Sequence, residues 1–150
     1  MKNLHLLTFT LGVAACSTVS QMKYREIKGF FPGNDMVKEN TAVQLFFIDS
    51  ASMATAFHPA ATMGTKLKSP DFSKEFAVGI ALPAGTEERQ IVIDAVEYEN
   101  KTAKVFYKIQ STGKNLSYSM KPAILIAVNK KNVASVEVLE NGKKVNRFDL

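Results

Sequence analysis

Asn141-Gly142 stands between two runs of strand-forming residues, 133–140 and 143–148. Asn-Gly takes positive φ at both central positions of a tight turn at little cost, so this dipeptide predicts a two-residue β-hairpin. Similar patterning organises the rest of the chain. Residues 91–98 (IVIDAVEY) and 103–109 (AKVFYKI) flank the polar turn Glu99-Asn100-Lys101-Thr102. Ala103, Val105, Tyr107 and Ile109 alternate with Lys104, Phe106 and Lys108, a period of two that predicts a strand with one face buried. Residues 76–82 (FAVGIAL) and 123–128 (AILIAV) are apolar on both faces and predict interior strands. The first is stopped by Pro83 and Gly85, and the second is entered through Pro122.

Residues 41–48 (TAVQLFFI) predict another strand, and residues 24–31 a first one, ended by the turn signal Pro32-Gly33-Asn34-Asp35. Asp49 and Ser50 are N-cap residue types, and Met53, Ala56 and Phe57 share one helical face. One short helix is therefore expected near residues 50–57, ending at His58-Pro59. The sum is seven to eight strands and one short helix. That predicts a mainly β fold, an antiparallel sandwich or a partly open barrel.

The N-terminus reads differently. Lys2 precedes a mostly apolar run over residues 4–15 that contains no acid. Twelve residues fall short of the ~20 that span a bilayer as a helix, and they fit the h-region of a signal peptide. The run closes on Val13-Ala14-Ala15-Cys16, which resembles the lipobox of bacterial lipoproteins. Small residues there let the scissile backbone enter a narrow peptidase site, and the cysteine thiol takes the diacylglyceryl group. The resemblance implies cleavage after residue 15, lipidation of Cys16, and a tether over 16–22 leading to a single β-rich domain over 23–150. Ser17 rather than Asp follows the cysteine; by resemblance to lipoprotein sorting, this implies the outer membrane, facing the periplasm.

Cys16 is the sole cysteine, so an intramolecular disulfide is excluded. Loss of Lys2 would leave 18 basic against 14 acidic residues, a net charge of +4. The lysines are scattered and no aromatic residues interleave them as a base-stacking platform would, which argues against a nucleic-acid partner. With His5 removed, His58 is the one remaining histidine. No histidine or cysteine pair at zinc spacing is present, and neither are G-x-S-x-G, a phosphate loop, G-x-G-x-x-G or an EF-hand. No catalytic, metal or cofactor residue is assigned. Asp94 and Glu97, three apart on one strand, point to opposite faces, and Asp94 is expected to point outward. Phe46, Phe47, Phe57 and Phe76 are expected in the core. The loops over 58–70 and 83–90 are the candidate partner-binding elements, with Phe57, His58, Lys66, Lys68, Glu87 and Arg89 as candidate contacts.

A second resemblance covers residues 43–139. A strand ending in Phe47-Ile48, a short helix, a loop and then Pro70-Asp71-Phe72-Ser73-Lys74-Glu75-Phe76-Ala77-Val78 resemble the C-terminal domain of PrcB-type protease-complex subunits. Pro122 opening the run Ala123-Ile124-Leu125-Ile126 is similar as well. Where that family carries T-G-G-Y, this chain reads Gly85-Thr86-Glu87-Glu88-Arg89-Gln90. The resemblance implies a non-enzymatic β domain of the envelope that binds a protease. The expected function is thus a membrane-anchored binding or accessory module for protein, protease-associated or inhibitor-like. A small-ligand or lipid carrier with an apolar cavity is the alternative, and an envelope hydrolase built around His58 comes third.

Overall fold

The computed structural model describes residues 18–33, 43–60 and 67–150. Cys16 and the signal-peptide segment lie outside the described residues, as does Lys66. Eleven strands and one helix follow in order among the described residues: β1 (Ser20–Gln21), β2 (Tyr24–Glu26), β3 (Phe30–Pro32), β4 (Gln44–Ile48), α1 (Met53–Ala56), β5 (Phe57–Pro59), β6 (Glu75–Ala81), β7 (Gly85–Glu99), β8 (Thr102–Met120), β9 (Ala123–Asn129), β10 (Ser135–Glu140) and β11 (Lys143–Asp149).

Two sheets form a β sandwich. One has the order β1-β7-β8-β10-β11 and the other β2-β9-β6-β4, while β3 and β5 make a separate two-stranded ribbon. Every pairing is antiparallel except β8 with β10, which is parallel. The exception has a simple cause. The chain leaves β8, crosses to the second sheet as β9, and returns beside β8, and such a return lays the new strand parallel. Side-chain hydrogen bonds tie both ends of this pair: Thr102 Oγ1 and Ser135 Oγ lie 3.0 Å apart, and the Tyr107 hydroxyl donates to Glu140 Oε2 at 2.8 Å.

The main core fills the space between the sheets. Phe76, Val78 and Ile80 of β6 and Ile126 and Val128 of β9 meet Val96 of β7, Ala103, Val105 and Tyr107 of β8, and Val136 and Val138 of β10. The alternating face predicted for 103–109 is therefore the inward one. Strands β6 and β9 are also covered on their other face, which explains their continuous apolar sequences. There Ala77, Leu125 and Ala127 pack beneath Ile48, Met53, Ala56 and Phe57. Small residues on that face leave room for α1 and the Phe57 ring.

Both tight hairpins turn through two residues at positive φ, which suits Asn100, Asn141 and Gly142 but not Lys101. Asn141 and Gly142 have φ of 49° and 79°, with Glu140 paired to Lys143. Asn100 and Lys101 have φ of 50° and 63°, with Glu99 paired to Thr102. Three expectations are corrected. The strand expected over 24–31 is two strands, because Gly29 at φ +80° breaks the extended chain between β2 and β3. The helix stops at Ala56, since Phe57 goes extended (φ −134°, ψ 122°) and starts β5 where a loop was expected. Residues 85–90 are also strand, the first six of the fifteen residues of β7, paired with the polar half of β8.

Candidate functional site

The N-terminal segment decides where the sandwich stays open. β1 lies along the edge of β7, pairing Ser20 with Tyr98 and Gln21 with Glu97, and the Met22 amide donates to the Val96 carbonyl at 2.8 Å. The chain then switches sheets. β2 pairs Tyr24 with Val128 and Glu26 with Ile126, and the Ile27 amide donates to the Leu125 carbonyl at 2.7 Å. Past these points, among the described residues, neither the β7 edge before Ile93 nor the β9 edge at Ala123 and Ile124 has a neighbouring strand.

The Tyr24 hydroxyl donates to the Ile93 carbonyl at 3.3 Å, so that carbonyl points away from β8. In an antiparallel pair both backbone polar groups of a residue point to the same side and alternate along the strand. Ile93, Ile91 and Arg89 hold an unbroken register with Tyr107, Ile109 and Ser111. The backbone N–H and C=O of Ile91 and Arg89 therefore point outward too, toward the open edge. That edge borders a cleft of about 490 Å³, whose lining includes Tyr24, Phe30, Phe31, Met120, Lys121 and Ile124. Phe31 is 60% exposed. An extended segment entering here would find backbone hydrogen-bonding groups, aromatic walls and two cations.

Arg89 is the unusual residue of the cleft. Its side chain leaves β7 on the same face as Ile91 and Ile93, which are 5% and 9% exposed in the core. Its Nη2 donates to the Pro83 carbonyl at 3.0 Å and lies against Gly85, where a Cβ would approach to 3.0 Å. Its Nε is buried with no hydrogen-bond partner, and it stands in none of the seven ion pairs among the described residues. The neighbouring acids are engaged elsewhere: Glu87 accepts from the Ser111 hydroxyl, and Glu88 from Thr112 Oγ1 at 2.8 Å. A second hollow, between the β7 and β8 arms, shares Arg89, Gln90 and Met120 with the first. The β8 arm is irregular there. Its register against β7 shifts between Arg89 and Glu87 and again between Glu87 and Gly85, and Gly113 takes φ +71°.

The candidate contacts read from the sequence do not gather in one place. Arg89 lines the cleft, but from a strand rather than a loop, and Glu87 is likewise on β7. Phe57 is no surface contact at all. It is 1% exposed, with its ring 6.0 Å from Phe46 in an edge-to-face pair. His58 is exposed on β5, opposite Phe31. Among the described residues its ring enters no hydrogen bond. Lys68 is exposed beside a separate hollow near the Arg25–Glu75 ion pair of 3.0 Å. There hydrogen bonds from the Ser73 hydroxyl and backbone hold the Asp71 carboxyl below the usual carboxylate range, with Lys74 adding to the effect. Asp94 points outward, as expected, and Lys108 Nζ meets it at 2.5 Å.

Compared with known proteins, the chain matches no family model, no curated protein and no solved structure. Among the described residues, no cluster of His, Cys, Asp and Glu is placed to hold a metal ion, and no helix is long and apolar enough to cross a membrane. The cleft residues that the sequence did not single out are Tyr24, Phe30, Phe31, Met120 and Lys121. Only Lys121-Pro122, a cation and a strand-entry proline together, carried a signal that could have drawn attention to them.

Proposed function

We propose that this protein is a lipid-anchored, non-enzymatic binding module of a bacterial cell envelope that holds an extended segment of a partner protein along the open edge of β7. The outward backbone of Arg89 and Ile91 beside the aromatic cleft carries this reading. An unpaired strand edge adds a strand from another chain by backbone hydrogen bonds, and adjacent pockets select its side chains. Natural sandwiches usually blunt such edges with charge, proline or a covering loop. Here the covering segment β1 stops short, and among the described residues the edge stays open beside a hollow. The resemblance of Val13-Ala14-Ala15-Cys16 to a lipobox supports the anchor, and Ser17 after the cysteine supports an outer-membrane, periplasm-facing location. A protease-associated partner is the narrower form of the same proposal and rests on the PrcB-like segment alone.

A carrier of small apolar ligands is the second reading. The amphipathic lining of the same cleft favours it, although that space lies at the rim of the sandwich while the interior between the sheets is packed.

Both parts are tested on the full chain expressed in a Gram-negative host. A photo-crosslinking residue at Val92, on the cleft, is expected to give discrete protein adducts. The same residue at Lys131, in the exposed turn after β9 and outside the cleft, is expected to give none. Equal labelling at the two positions, or no adduct at Val92, overturns the edge-binding reading. Cys16→Ser is expected to leave the protein uncleaved or release it into the soluble fraction, and unchanged mobility and membrane retention overturn the anchor.

A further inference from the structure

We propose that Arg89 is the anion-recognising residue of the β7 edge, and that the segment bound there presents a carboxylate to it; the proposal rests on the edge-binding reading above. The reason is an imbalance in the cleft. A guanidinium offers five N–H donors in a fixed fork. Here one donor reaches the Pro83 carbonyl, while Nε is buried and, among the described residues, unpaired. A buried donor without a partner costs free energy, and one on a charged group costs more. The chain nevertheless places this group inward, on the face of Ile91 and Ile93, at the mouth of the core. The chain also clears space for it with Gly85.

The nearby acids that could neutralise Arg89 from within are turned to β8 hydroxyls. Lys121 adds a second cation to the cleft, and Glu26 is the one acid in its lining. A planar carboxylate matches the guanidinium fork in two parallel hydrogen bonds. An extended peptide is the occupant that uses both features together. Its backbone pairs with the outward groups of Ile91 and Arg89, and its carboxylate, terminal or on a side chain, meets the buried Nε.

The experiment uses the intact chain in detergent and a bead library of extended peptides with free or amidated C-termini and with Glu or Gln at each position. Wild-type protein is expected to enrich free termini or Glu at one fixed position. Arg89→Leu should abolish that enrichment and weaken the selected peptides by about tenfold to a hundredfold, the range of a charge-assisted hydrogen bond. Arg89→Lys should restore only part, because it keeps the charge but not the fork. A second readout separates recognition from structure. Thermal stability of Arg89→Leu without peptide should equal or exceed that of wild type, because the substitution removes an uncompensated charge. A clear fall in stability would make Arg89 a structural residue and overturn the proposal. Peptides bound without carboxylate preference, or with the same preference in Arg89→Leu, overturn it while leaving edge binding intact. No retained peptide overturns the peptide occupant and edge binding together.

Discussion

Gly79 lies directly beneath the ring of Phe57: a Cβ placed on Gly79 would stand 2.6 Å from Phe57 Cε2 and 2.7 Å from Cζ. Central strand β6 approaches the covering layer so closely at this point that only hydrogen fits. The Phe57 ring sits over the small residues Ala77, Gly79 and Ala127 and meets the Phe46 ring edge to face. Gly79→Ala should therefore destabilise the fold by about 1–3 kcal/mol, the usual range for overpacking. Urea denaturation measures this. Phe57→Leu in the same chain should relieve the clash, making the double variant less destabilised than the sum of the single ones. Strict additivity would show that the two sites do not meet.

Tyr107 predicts an alkaline limb in the stability curve. Burial raises its hydroxyl pKa well above the ordinary 10.0, and the hydrogen bond to Glu140 raises it further. A group whose folded pKa is raised contributes stability that is complete below its unfolded pKa and is lost as pH climbs through the folded value. Resistance to urea should thus fall from about pH 10 upward. Lys104, raised mainly by its hydrogen bond with Glu99, adds a loss in the same direction from 10.5. Tyr107→Phe should cost about 0.5–1.5 kcal/mol at pH 8 and make the limb shallower without removing it. An unchanged slope above pH 10 would refute the tyrosine's part.

The two hairpins form an internal comparison. Asn141-Gly142 places glycine at φ 79°, whereas Asn100-Lys101 holds a lysine at φ 63°. The left-handed region costs a side chain about 1–2 kcal/mol. Glycine removes this strain but adds unfolded-state entropy of about 0.5–1 kcal/mol. Lys101→Gly should consequently stabilise the protein by roughly 0.5–1 kcal/mol, raising Tm by a few degrees. The gain also reaches a long-range contact, because the Lys101 carbonyl accepts from the Ala134 amide at 2.7 Å and fixes the entry to β10. A lower Tm in this variant would show that the lysine side chain has a role outweighing its backbone strain.

How legible these features were in the sequence depended on whether a segment buries apolar side chains. β6 and β9 were visible because both of their faces are covered, and the 103–109 face because one is. Asn-Gly announced its turn. The polar arms of β7 and β8 were not visible: Gly85-Thr86-Glu87-Glu88-Arg89-Gln90 and the pairing stretch from Ser111 to Met120 form a two-stranded extension with little burial, so hydrophobic periodicity had nothing to report. Phe57, expected both in the core and among the partner contacts, holds only the first place, for the opposite reason. Its neighbours His58 and Pro59 suggested a loop, while its own burial depends on Gly79, twenty-two residues away in sequence. The cleft follows from where β1 ends and β2 begins, a change of sheet at Met22 and Lys23 that no local pattern records.

Asp49 governs the entry to the layer that covers β6 and β9. Its Oδ1 accepts from the Ser52 amide at 2.8 Å, the Ser52 hydroxyl at 2.7 Å and the Ala51 amide at 3.1 Å, folding the chain from β4 into α1. These bonds favour the ionised carboxylate, chiefly through the Ser52 amide and then its hydroxyl, and hold the pKa below 3.8. A depressed folded pKa contributes stability above the unfolded pKa, and that stability is lost as pH falls through the folded value. The urea midpoint of the wild type should accordingly drop on acidification from about pH 5 to pH 2. Asp71 contributes in the same sense. Asp49→Ala should lower the midpoint at neutral pH and flatten part of the acid limb. Asp49→Asn keeps an acceptor for the turn but no titration, so it should flatten the limb equally with a smaller loss at neutral pH. If Asp49→Asn kept the full acid limb, the stability lost there would come from carboxylates other than Asp49.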